Sequence, residues 1–145
     1  MGNHRAAEFW KRPEHRASAL RGMRLARASI ERGEGFLYVA ELVGAGAVKI
    51  GFSLNPRARV AGLCSRKARE HFKLLAFVPA TLELEQELHR RLVARRHPKF
   101  AERREFYPFD VLTSRMLPAA LRQLVKARAM CRRKYGRHRR GGELR

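Results

Sequence analysis

The nineteen residues from Gly35 to Ser53, GFLYVAELVGAGAVKIGFS, leave little freedom of fold. Phe36–Val43 and Ala47–Ser53 are built from β-branched and aromatic residues, the composition of strands. Gly44, Ala45 and Gly46 lie between them and supply a turn, so the two strands are predicted to pair antiparallel as a hairpin. Two side chains are out of place on an apolar hairpin. Tyr38 carries a hydroxyl into the first strand, and Lys49 carries a charge into the second.

Beyond the hairpin, helix and strand alternate. Asn55 is a suitable N-cap and Pro56 suits the first helical position, which predicts a helix after Asn55. FKLLAFVPA, from Phe72, reads as a third strand ended by Pro79. A strong helix is predicted next, capped by Thr81, with Leu82, Leu88 and Leu92 on its apolar side. Residues 98–110 read as a loop or short strand containing aromatics. The expected fold is therefore α+β: a small three-stranded antiparallel sheet flanked by helices.

Two basic extensions flank this unit. Residues 1–34 contain a predicted basic helix after Pro13, with Leu20, Met23, Leu25 and Ile30 read near one side and a stop at Gly33 and Gly35. Its apolar side is expected to pack on the domain, with its arginines free to lie along phosphates. Residues 111–145 carry 11 basic residues against one acid. They are predicted to start as a helix that docks through Leu117, Leu121, Leu124 and Val125. Beyond Tyr135 a tail is expected to be disordered and open to phosphates. The division is thus 1–34, 35–110 and 111–145.

Charge sets the class of partner. The chain has 33 Lys and Arg against 13 Asp and Glu, a formal net charge of +20. A chain so charged repels itself and attracts polyanions, and nucleic acid is the default polyanion. Arginine enrichment from a GC-rich coding sequence would explain Arg in place of Lys, but not the shortage of acids. Asp110 is the single aspartate, which disfavours nucleases that hold two metals with several carboxylates. The two cysteines, Cys64 and Cys131, form neither a metal motif nor a disulfide ladder, which points to a reducing compartment. The N-terminal stretch lacks the apolar region of a signal peptide, and no run of about 18 apolar residues occurs. The expected setting is cytoplasmic, in a bacterial or phage-encoded context, with no membrane partner.

Tyr38, Lys49-Ile50-Gly51, Ser53, Arg59, Glu85, His89 and Glu105-Phe106 succeed one another in an order that resembles the GIY-YIG nuclease superfamily. The resemblance is closest to its phage- and meiotic-protein-type branch, whose second motif reads Lys-Ile-Gly. Phe36-Leu37-Tyr38 stands where the family has Gly-Ile-Tyr, and Lys49-Ile50-Gly51 where it has Tyr-Ile-Gly. FSLNPRAR ends on the family's arginine, here Arg59, and LEQELH carries its glutamate, here Glu85, with the branch's histidine at His89. The resemblance covers residues 35–109. It implies one divalent metal on the helix glutamate, a tyrosine that assists deprotonation of the attacking water, and an arginine that stabilises charge on the phosphate.

Chemistry supports each assignment independently. Glu85 can hold Mg²⁺ or Mn²⁺ with waters completing an octahedron. Glu83 and Glu87 are its rivals, and Glu85 is favoured because His89 lies at i,i+4 on the same face. Arg59 offers a rigid fork of donors to phosphate oxygens, and Arg57 is its rival. Tyr38 can serve as a base only if neighbouring cations, Lys49 and Arg59, lower its pKa. His89 could orient a water, shuttle a proton or contact phosphate. No Cys or further His stands at zinc spacing from it.

Gly51, Ser53, Arg57, Arg132, Arg133, Lys134, Arg137, Arg139 and Arg140 are the candidate substrate contacts, with Gly51 expected to keep the backbone open. His71 and His97 are read as surface residues. The superfamily often has a late asparagine; the nearest residue here is Glu105, which either binds metal or caps the fold. A metal-dependent DNA endonuclease is expected, DNA favoured over RNA. The alternatives are a catalytically inactive nucleic-acid-binding or regulatory module of the same fold, and a basic interaction protein.

Overall fold

The computed structural model describes residues 13–64, 70–100 and 102–136, with backbone alone for 131–136. The side chains of Arg132, Arg133 and Lys134, and the whole of Arg137, Arg139 and Arg140, lie outside the described residues.

Helix α1 spans Pro13–Glu31. Proline at its first turn is pre-set for the helix and lacks only an N–H that would have had no intrahelical partner. At its other end Gly33, at φ 76°, donates to the Ile30 carbonyl, and Glu34 donates to that of Ser29. This is the paired Schellman closure that glycine permits. No residue of α1 is buried, and Leu20, Met23 and Leu25 are all more than half exposed. The expected packing of its apolar side is therefore not found. The reason is geometric: at about 100° per residue, Leu20, Met23 and Ile30 fall within about 80° of one another while Leu25 projects to the far side, a stripe narrower than a packed helix ordinarily presents.

The hairpin forms as predicted. Strand β1, Phe36–Leu42, pairs antiparallel with β2, Ala47–Ser53, in a register that sets Tyr38 opposite Gly51 and Ala40 opposite Lys49. Gly44 and Gly46 turn the chain at φ 81° and 64°, where a β-carbon would be strained. Helix α2, Pro56–Leu63, starts where Asn55 Oδ1 accepts the Ala58 N–H at 3.2 Å. Strand β3, Phe72–Pro79, lies along the other side of β1, also antiparallel. Helix α3, Leu82–Arg91, is capped by Thr81 Oγ1 on the Leu84 N–H at 3.2 Å.

The sheet has a further member. Strand β4, Phe106–Pro108, pairs with Ala47–Lys49 of β2, so the order is β3-β1-β2-β4. The segment read as a loop or short strand is thus the fourth strand of an α+β fold. Helix α4, Ala119–Gly136, completes it. Among the described residues no helix is long and apolar enough to cross a membrane.

Strand alternation divides the core in two. Leu37, Val39, Val48 and Ile50 face Leu88 and Leu92 of α3 and its flank, together with Leu117 and Leu121. Tyr38, Ala40, Leu42 and Ala47 face the other way, toward Val60 of α2 and the rings of Phe72 and Phe106. Lys49 and Gly51 share this second face by the period of two. Leu121 is fully buried and Val125 packs at the margin of the core, whereas Leu124 is half exposed. Helix α4 is therefore part of the domain core. Leu121→Ala should cost about 2–5 kcal/mol of stability, and Leu124→Ala well under half of that. Denaturant unfolding of both variants checks this; equal, small losses would show that α4 is not docked.

Candidate functional site

The hairpin register builds the centre of the site. Opposite Tyr38, a β-carbon on Gly51 would lie 2.6 Å from the phenolic oxygen and 2.7 Å from Cζ. The Tyr38 side chain therefore occupies the space above Gly51. The sequence suggests a glycine that keeps backbone open to substrate; what it admits is the tyrosine. Tyr38 is only 1 % exposed. Burial pushes its phenol above the ordinary value of 10, against the hydrogen bond and charge of Arg59, with the Glu85 charge adding to the rise. The lowering by neighbouring cations that a base would need does not occur, because desolvation penalises the phenolate more than Arg59 helps it.

Lys49 is buried beside it. Pairing of β2 with β4 sets Phe106 opposite Lys49, and the Glu105 carbonyl accepts the Ile50 N–H at 3.1 Å. The same pairing brings the Glu105 carboxylate onto the Lys49 ammonium as an ion pair. Lys49 Nζ also lies 5.6 Å from the centre of the Phe106 ring. That ring carries the Arg103 guanidinium on it at 4.4 Å, and Arg103 is tied to Glu70 at 2.5 and 3.1 Å. Burial, then repulsion from Arg59 and Arg103, brings the Lys49 pKa from 10.5 down to about 8, with the Glu85 carboxylate pulling the other way. The electrostatics thus couple Tyr38 and Lys49 to the same two groups, Arg59 and Glu85.

Helix α3 supplies one acid and the imidazole. Glu85 is buried, whereas Glu83 and Glu87 are exposed and Glu87 pairs with Arg90. His89, one turn on, has Nε2 3.0 Å from Glu85 Oε1 and Nδ1 2.6 Å from the Tyr107 hydroxyl. Tyr107 is fully buried, and its hydroxyl also lies 3.4 Å from the Arg104 carbonyl. Burial raises its pKa despite Arg96, which hydrogen-bonds to it, so the phenol is neutral at ordinary pH. Ligand atoms of Glu85, His89 and Glu105 all lie within 4.8 Å of one another. Two carboxylates and an imidazole at this separation are a donor set that fits a divalent cation.

The other predicted residues fall outside this cluster or at its margin. Ser53 Oγ accepts the Asn55 N–H at 3.1 Å and so closes the turn into α2. Arg57 is exposed and lies over the Phe77 ring at 5.8 Å, while Arg59, two residues on, is the one at the tyrosine. His71 is exposed; His97 is half-buried, its Nδ1 accepting the Lys99 N–H at 3.2 Å. Tyr107 is a member of the site that the sequence does not single out. A signal exists: a buried tyrosine needs a partner for its hydroxyl, and His89 offers one.

The model of the T5orf172 domain matches residues 35–130. The chain belongs to the T5orf172 domain family. That family is associated with nuclease-like proteins, and its match spans the hairpin, the α3 cluster and most of α4. No curated protein and no solved structure matches the chain.

This packing has two measurable consequences. Gly51→Ala must push the Tyr38 phenol aside, so it should destabilise by about 1–3 kcal/mol, and Tyr38→Phe in the same background should not restore it, since Cζ and the ring also clash. Recovery by that second change would show that the clash is confined to the hydroxyl. For Lys49, the folded protein binds the proton more weakly than the unfolded chain. The ammonium therefore costs stability below about pH 8, a cost relieved as pH rises toward 10.5. Relative to Lys49→Met, the wild type should gain about 1–3 kcal/mol over that window; a flat difference would rule out the depressed pKa.

Proposed function

We propose that the protein is a metal-dependent endonuclease that hydrolyses phosphodiester bonds of DNA at a GIY-YIG-like site. The observation that carries this reading is the buried Glu85, set among Tyr38, Lys49 and Arg59 in a strongly basic chain. A module that only bound polyanions would gain nothing from a desolvated carboxylate there, since it repels phosphate.

Each side chain has a task in such a hydrolysis. Arg59 presents donors to the non-bridging oxygens, where negative charge accumulates in the transition state. Tyr38, a neutral phenol locked over Gly51, holds a water or a phosphate oxygen by hydrogen bonding. Lys49, at about 8, can hold or release a proton at Nζ near physiological pH. In the absence of the ion, His89 orients the Glu85 carboxylate through the 3.0 Å contact. Glu85, His89 and Glu105 would hold the cation, Mg²⁺ or Mn²⁺, which supplies Lewis acidity when bound. The basic residues from Arg132 to Arg140 extend the charge along the nucleic acid.

One observation favours a second reading, a catalytically silent nucleic-acid-binding module. Tyr38 is almost wholly buried and its pKa is raised, so it is no base by itself. Plasmid cleavage with Mg²⁺ or Mn²⁺ separates the two. Wild type should nick DNA, and Glu85→Gln and Arg59→Ala should each lose about 100-fold or more, with Glu85→Gln still binding DNA. A wild type that binds DNA but cuts it no faster than either variant would overturn the endonuclease. Faster cleavage of a matched RNA would overturn the DNA preference.

A further inference from the structure

The three donors around Glu85 differ from an all-oxygen magnesium site in one respect: one of them is an imidazole nitrogen. From this geometry we propose that Glu85, His89 and Glu105 form a three-ligand site selective for a first-row transition ion of the Mn²⁺ type over Mg²⁺. The proposal rests on the endonuclease reading only in taking this cluster as the metal site.

The distances suit direct coordination. Bonds of about 2.1 Å place neighbouring ligands of an octahedron about 3 Å apart. Glu85 Oε1 and His89 Nε2 are 3.0 Å apart. The Glu105 ligand atom lies within 4.8 Å of both, on a residue whose side chain is 46 % exposed and so has room to adjust. The Glu85 and His89 side chains are only 11 % and 14 % exposed. Such a pair leaves little room for the full water shell that Mg²⁺ gives up reluctantly. Nitrogen donors favour transition ions over Mg²⁺, and affinity rises along that series from Mn²⁺.

The second shell is what makes the imidazole available. The Tyr107 hydroxyl has two acceptors in reach, His89 Nδ1 at 2.6 Å and the Arg104 carbonyl at 3.4 Å. When it donates to Nδ1, Nε2 carries the proton and donates to Glu85. When it donates to the carbonyl, its oxygen accepts from Nδ1–H, and Nε2 presents a bare lone pair toward Glu85. Two lone pairs 3.0 Å apart repel unless a cation lies between them. Tyr107 therefore serves both tautomers, and the metal-ready one has the outer hydrogen bond that ligating histidines ordinarily have. Glu105 pairs with Lys49 through Oε2 and has its second carboxylate oxygen for the ion.

The test measures binding without nucleic acid. The full chain is titrated with MnCl₂, free Mn²⁺ being followed by its electron paramagnetic resonance signal, and MgCl₂ is then added as competitor. Wild type should bind one Mn²⁺ at least tenfold more tightly than Mg²⁺. His89→Gln, which removes the nitrogen donor, should lower Mn²⁺ affinity at least tenfold and bring the two ions to within about threefold. Glu105→Gln should weaken Mn²⁺ about tenfold; because Glu105 is half exposed, it decides the matter if His89→Gln fails to fold. Mn²⁺ and Mg²⁺ binding equally to wild type, or Mn²⁺ binding that survives both changes within twofold, would overturn the proposal. A protein that binds Mn²⁺ through all three residues yet cuts no DNA would refute the endonuclease and leave the site standing. Cleavage supported by Glu85 alone would do the reverse.

Discussion

A lysine ammonium is buried in an inner strand of the sheet, and much of the surrounding architecture serves to make that tolerable. An isolated charge so placed would be prohibitive. Lys49 is kept by the Glu105 carboxylate, by the face of Phe106 and by the field of Glu85. Two of these partners are on or beside β4, which exists as a strand only through its pairing with β2. Arg103, clamped to Glu70 and stacked on Phe106, ties down the segment that enters β4. The sheet edge, the loop before it and the charged cluster are therefore one unit.

That arrangement holds opposite charges close together in a small volume. Arg59 and Arg103 depress the proton affinity of Lys49, while Glu85 raises it. Tyr38 is pulled in opposite senses by Arg59 and Glu85, and burial decides the outcome. Charges that frustrate one another in this way are poorly explained by stability alone, since apolar residues of similar volume would pack at no electrostatic cost. They are what the proposed nuclease site would require, a cation between the carboxylates and a phosphate against the arginine.

Local elements are legible in the chain to a good extent. The β1–β2 hairpin, the caps at Asn55 and Thr81, and the shared helix face of Glu85 and His89 all depend on neighbours within a few residues, and periodicity reports them. The fourth strand is less clear because Phe106–Pro108 is too short to show an alternation. The expected α1 packing fails for a different reason: Leu20, Met23 and Ile30 share one side but make a narrow stripe that Leu25 does not join, and none of them is buried. Gly51 reads as open backbone because its true neighbour, the Tyr38 ring, lies across the hairpin rather than along it.

The sequence by itself determined the hairpin, the helix starts and the basic character, because propensity, capping and net charge are local or additive properties. Only the tertiary structure decided that Glu105 meets Lys49, that Tyr107 stands behind His89, and that Tyr38 is buried with its pKa raised rather than lowered. Those outcomes depend on which strand pairs with β2 and on how much water is excluded. Both are set by contacts between residues far apart in the chain, and desolvation, the largest influence on Tyr38 and Lys49, has no counterpart in the order of the letters.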